Sequence, residues 1–138
     1  MRELVKPDVA TFLRVRAIER FPEWDVDESV PEGRILERVD PLLLMYSVDV
    51  FKLTEWTWNE TIGYRVFYST RERPQPARDV AARVEAWLST SAALPGSPVA
   101  AVLDSNGPNL VADEHETAVL YGTVELVVAG VYRPAVTG

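Results

Sequence analysis

The chain has 138 residues, 47% apolar and 25% charged, with a formal net charge of −7 and no cysteine. This length and composition fit one globular domain. The missing cysteines exclude disulfides, thiolate nucleophiles and Cys-based metal sites. No apolar run approaches the roughly 18 residues that a membrane span needs, and the acidic balance, with no basic stripe, argues against a general nucleic-acid binder.

Taken in chain order, Pro7 and Asp8 open a helix that runs to about Arg20, since proline is tolerated in a first turn. Val9, Phe12, Leu13 and Ala17 form its apolar face, and Phe21-Pro22 ends it. Residues 24–30, in which Val26 and Val30 alternate with acids, predict a short edge strand closed by Pro31. After Pro41, residues 42–51 predict a strand that is buried at its start and alternating at its end. Residues 61–69 predict its antiparallel partner, with residues 52–60 as an extended hairpin tip carrying Trp56 and Trp58.

Residues 76–90 predict the clearest helix, because Ala77, Val80, Ala81, Val84, Trp87 and Leu88 form a one-sided stripe. Residues 99–103 predict a short strand, and 104–116 a polar loop with Asn106-Gly107-Pro108 as its turn. Residues 117–129 read as one unbroken strand save for Gly122, about twice the usual length of 5–6 residues. So long a strand in a small chain predicts that its first half, around Thr117, Val119 and Tyr121, extends to meet another chain or a channel. Tyr132 and Pro134 fall in a predicted mobile tail. The order predicts an α+β fold: a two-layer sandwich, with a mostly antiparallel four- to five-stranded sheet and two helices on one face.

Chemistry is sparse. His115 is the one histidine, and Asp113-Glu114-His115-Glu116 reads as a solvated acidic loop rather than a metal site. Glu23, Asp25, Asp27 and Glu28 read as charges protecting a sheet edge. Ser47, Ser69 and Ser105 lack a nucleophile elbow, and there is no phosphate loop or dinucleotide fingerprint. The residues thus predict no enzyme and no cofactor. Trp56 and Trp58 are candidate interface residues with core packing as the alternative. Tyr64, Tyr68 and Tyr121 read as sheet-face packing residues. The first residues lack the apolar core of a signal peptide, so synthesis in a cytoplasm is expected.

Four stretches together resemble the tail terminator proteins of long-tailed, siphovirus-type bacteriophages. They are Pro7-Asp8-Val9 and the short strand ending in Val30-Pro31, then Tyr64-Arg65-Val66-Phe67-Tyr68 followed by Ala77-Arg78-Asp79-Val80-Ala81, and last Tyr121-Gly122-Thr123-Val124-Glu125-Leu126. Where that family often has a Gly-rich turn between the central strands, residues 52–60 carry two tryptophans instead. The resemblance implies one small α+β domain that assembles as a hexameric ring on the tail tube, stops its growth and offers a joining surface to the head. It implies a virion location at the head–tail junction. The implied partners are other copies of the chain, the tube protein and a head-side neck or stopper protein, while DNA passes without specific binding. An acidic lumen would repel phosphate, and Asp113, Glu114, Glu116 and Glu125 are the candidates to line it. Alternatives are another neck protein, a head-completion or stopper protein, or a small carboxylate-based α+β enzyme.

Overall fold

The computed structural model describes residues 2–29, 40–111 and 117–134. The elements are β1 (Arg2–Val5), α1 (Val9–Arg20), β2 (Asp25–Asp27), β3 (Leu42–Lys52), β4 (Thr57–Thr70), α2 (Gln75–Leu88), a 3-10 turn (Ser91–Ala93), β5 (Val99–Leu110), β6 (Thr117–Ala129) and β7 (Val131–Pro134). The main sheet has the order β2-β3-β4-β6-β5, antiparallel except for the β2–β3 pair, and β1 pairs with β7 in a separate antiparallel ribbon. Both helices pack on one face of the main sheet, which makes the fold an α+β two-layer sandwich.

Local chemistry explains the helices. Asp8 caps α1: its carboxylate accepts the Thr11 backbone N–H at 3.1 Å and the Thr11 hydroxyl at 2.8 Å. Those two bonds hold the Asp8 carboxyl below its ordinary pKa. Val9, Ala10, Leu13 and Ala17 turn inward. In α2 the expected stripe is the buried one, from Ala77 to Leu88, and Pro76 sits in the first turn, where its missing N–H costs nothing.

The core lies between those stripes and one face of the sheet, where Leu43, Met45, Ile62, Tyr64, Val66, Leu120, Val124, Leu126 and Val128 are buried. Side chains alternate along a strand, so the opposite face holds the intervening residues. At one end of it Leu42, Leu44, Phe67 and Val119 form a second buried cluster. The rest carries Thr61, Arg65, Thr123 and Glu125, all partly or fully exposed.

Gly122 has a packing reason. It stands opposite Tyr64 across the β4–β6 ladder, and a Cβ there would lie 2.3 Å from the Tyr64 ring and hydroxyl. The absent side chain is the space the buried tyrosine occupies.

Several expectations are corrected. Strand β6 matches its expected bounds but does not project. It is interior, paired with β4 along its whole length and flanked on the other side by β5. Its neighbours, at 14 and 12 residues, are as long as it is, so its length is absorbed inside the sheet. Asn106-Gly107-Pro108 is no hairpin turn. Gly107 adopts φ +87°, and the register shifts between Asn106 and Asn109, so β5 passes through an irregularity and continues to Leu110. The expected hairpin tip shrinks to residues 53–56, because Trp58, Asn59 and Glu60 already pair with β3. Tyr132 and Pro134, expected in a mobile tail, lie in β7, paired with Leu4 and Arg2. Strand β1 was not expected at all. Val30 and Pro31 lie outside the described residues.

Candidate functional site: the hairpin tip and the open sheet edge

Strand β2 covers only Leu42, Leu43 and Leu44 of its neighbour. Among the described residues, the outer edge of β3 from Met45 to Lys52 therefore has no strand beside it. The β3–β4 register shifts between Ser47 and Asp49, placing a bulge at Val48, a device that discourages random edge pairing. Beyond it the hairpin is apolar and open to solvent: Val48, Val50, Phe51, Leu53 and Trp56 are 49%, 39%, 51%, 45% and 57% exposed. Val50 and Phe51 point to opposite faces, so apolar side chains of the β3 arm reach solvent on both faces, while their β4 partners Glu60 and Asn59 are buried.

The tip is nevertheless well tied. The Leu53 and Thr54 backbone N–H groups both donate to the Thr57 carbonyl, at 3.0 and 3.2 Å. The Thr54 and Thr57 hydroxyls are 2.7 Å apart, and the Trp56 N–H donates to Thr54 Oγ1 at 3.1 Å. The Trp56 carbonyl accepts the Gly130 N–H at 2.8 Å. The backbone is fixed while the indole is left in water. Exposed apolar side chains gathered at the end of an ordered hairpin make it a candidate interaction surface, and tryptophan is enriched at the centres of such surfaces.

The two tryptophans differ in role. Trp58 sits within β4, packs against the core and lies beside Gly130, with the Lys52 ammonium 5.5 Å from its ring. Trp56 lies in the turn rather than the strand, so a spacing of two residues does not put both on one face. Of the other expected contact residues, Thr117 is 7% and Val119 1% exposed, Val119 in the buried cluster on the sheet face away from the helices. They offer no surface to a neighbour, which corrects that expectation. Tyr121 is half-buried on the open face, with the Arg65 guanidinium 5.5 Å from its ring, and Arg65 Nε donates to Tyr46 Oη at 3.1 Å. Glu125 shares that face and accepts a hydrogen bond from Asn59 Nδ2. Asp113, Glu114, His115 and Glu116 lie outside the described residues.

No constellation of reacting groups is assembled among the described residues, and no group of three or more His, Cys, Asp or Glu lies close enough to hold a metal ion. Asp25, Asp27 and Glu28 are exposed along the β2 edge. Among the described residues the one deeply buried carboxylate, Glu60, is 2.6 Å from Lys6 Nζ. By its distance this contact is an ion pair; Glu60 Oε1 has no well-aligned hydrogen bond. Burial pushes the Tyr64 phenol above its ordinary pKa, with Glu85 adding to the shift, and its hydroxyl has no hydrogen-bond partner. These are features of the core and not a reaction centre.

Sequence reasoning placed Trp56 here but missed Val48, Val50, Phe51 and Leu53. Their alternation with Asp49 and Lys52 reads as an ordinary half-buried strand, and only the lengths of β2 and the helices reveal that nothing among the described residues covers it. No helix among the described residues is long and apolar enough to cross a membrane. No protein-family model matches the chain, and no curated protein matches it.

Proposed function

We propose that the chain is a structural virion subunit, a tail terminator that closes into a ring of six on the end of a phage tail tube. The ring stops tube growth and presents the joining surface to the head-side neck protein. The observation that carries the reading is the free end of the β3–β4 hairpin, with five exposed apolar side chains in β3 and the tip. The choice of this assembly over others rests on the sequence resemblance.

A cyclic ring needs a heterologous contact, one patch against a different patch. The hairpin tip supplies the first. Val15 and Ile18, 49% and 53% exposed on the outer side of α1, supply a second, non-identical one. Threading DNA requires a wall that does not hold phosphate, and an acidic lumen meets that need. Asp113, Glu114, Glu116 and Glu125 are proposed to face it. Residues 84–138 hold one Arg against six acids, so the surplus is concentrated where the lumen is assigned.

Native mass spectrometry of the purified chain tests the ring, with six copies as the expected state. Adding the chain to polymerising tube protein from the same phage is expected to shorten the tubes and leave a ring at one end. A chain that stays monomeric at every concentration, both alone and on tubes, would overturn the proposal.

A further inference from the structure

A second surface stands apart from the hairpin. Where α1 ends, Arg20, Phe21, Pro22, Glu23 and Trp24 meet Arg83 of α2 around an open cleft of about 210 Å³. Phe21 and Trp24 stack, with ring centres 4.0 Å apart and planes within 9°. Phe21 is buried, and the edge of Trp87 meets it at 5.9 Å. The Trp24 N–H donates to the Phe21 carbonyl at 3.0 Å, which closes the turn that carries both rings.

The Arg83 guanidinium carbon lies 5.4 Å from the Phe21 ring centre and 5.1 Å from that of Trp24. Near-equal distances to two stacked rings place it beside the stack, along the ring edges, rather than over a face. The Arg20 guanidinium lies 5.0 Å from the same Phe21 centre. Two cations thus converge on one aromatic stack. Among the described residues neither has an ion-pair partner, whereas Arg14, Arg16 and Lys6 each have one.

We propose that this cleft binds a single carboxylate side chain presented by another protein on an otherwise uncharged segment. A planar guanidinium grips a carboxylate through two parallel N–H bonds, and aromatic walls pack the apolar stem that carries it. The cleft is smaller than the roughly 300–1,000 Å³ of drug-sized ligand sites, which suits one side chain. Nucleic acid is disfavoured by the surroundings. Glu23 lines the cleft, and Glu19, Asp25, Asp27 and Glu28 are exposed on the stretches that flank its lining in sequence. A polyanion meets that whole acidic field, while a single carboxylate meets chiefly the two arginines. The inference does not depend on the ring.

Isothermal titration calorimetry at low ionic strength tests it, with a blocked Gly-Glu-Gly peptide that carries one carboxylate, sodium acetate and octathymidylate as probes. The peptide is expected to bind more tightly than either of the others. Arg20→Gln and Arg83→Gln are each expected to weaken it at least about tenfold, since a charge-assisted hydrogen bond is lost. Arg83→Lys, which keeps the charge without the fork, should fall between, and Arg78→Gln, elsewhere on α2, should leave binding unchanged. Thermal melts identify variants that remain folded, and Arg20→Gln, at an exposed position, provides the readout should Arg83→Gln unfold. Equal peptide binding in all folded variants would overturn the proposal. So would no peptide binding at millimolar concentration, or tighter binding of acetate or oligonucleotide.

Discussion

Two residues in the core carry opposite liabilities. Tyr64 is fully buried, yet its hydroxyl has no partner, and an unsatisfied buried polar group costs free energy. Tyr64→Phe keeps the ring over Gly122 and removes the orphan. It is expected to leave stability unchanged or raise it by about 1 kcal/mol, read from urea denaturation. Gly122→Ala drives a methyl into the same ring and is expected to cost about 1–3 kcal/mol. If Gly122→Ala proves neutral, the ring does not lie where it is described. The Lys6–Glu60 pair makes a different prediction. Lys6→Met leaves a carboxylate that is 2% exposed without a counter-ion. The expected loss is roughly 3 kcal/mol, towards the low end for a broken buried pair because the lysine head is partly hydrated. Lys6→Met with Glu60→Leu should recover most of it, and a double mutant no better than the single would show that the pairing is not what matters.

At the scale of elements, the β3–β4 hairpin divides into a packed half and a free half, and its two tryptophans report on each. Trp58→Ala removes a ring that packs on the core and is expected to lower stability by about 2–3 kcal/mol, short of the figure for a fully buried Trp. Trp56→Ser removes an exposed ring and is expected to change the monomer's stability by less than about 0.5 kcal/mol, while weakening self-association. A chemical denaturation series at low concentration separates the two effects. The same elements show what was legible in the sequence. The Asp8 cap, the α2 stripe and the bounds of β6 rest on interactions within a few residues, so their patterns were readable. The start of β5 was readable too, but its continuation from Asp104 to Leu110 was not, because the Gly-Pro step reads as a turn and is carried through by the long ladder with β6. The β1–β7 ribbon was not readable either, since two four-residue strands of mixed polarity exist only through each other, from opposite ends of the chain. The free edge of β3 is set by how short β2 is, and the Arg20–Arg83 cleft by how α1 and α2 lie on the sheet. Neither leaves a periodicity to find.

For the whole molecule, the proposed self-association has a symmetry that follows from whether the hairpin tip meets the tip of its neighbour or a different patch. An isologous contact, tip against tip, closes at a dimer. A heterologous contact, tip against the Val15/Ile18 side of α1, propagates until a ring closes. Two variants distinguish them: one carries Phe51→Lys and Trp56→Lys, the other Val15→Lys and Ile18→Lys. Because all four positions are about half exposed, both variants are expected to fold. In the heterologous case each alone is monomeric, since each lacks one half of every contact. Mixed together, the intact tip of the second variant can still meet the intact α1 side of the first. One such contact forms per pair and no ring can close, so native mass spectrometry should show a dimer containing one of each variant. An isologous tip contact predicts something else: the α1 variant alone remains dimeric, and mixing adds nothing. If the α1 variant still forms hexamers, Val15 and Ile18 are not the receiving patch, and the tip must dock elsewhere on the neighbour.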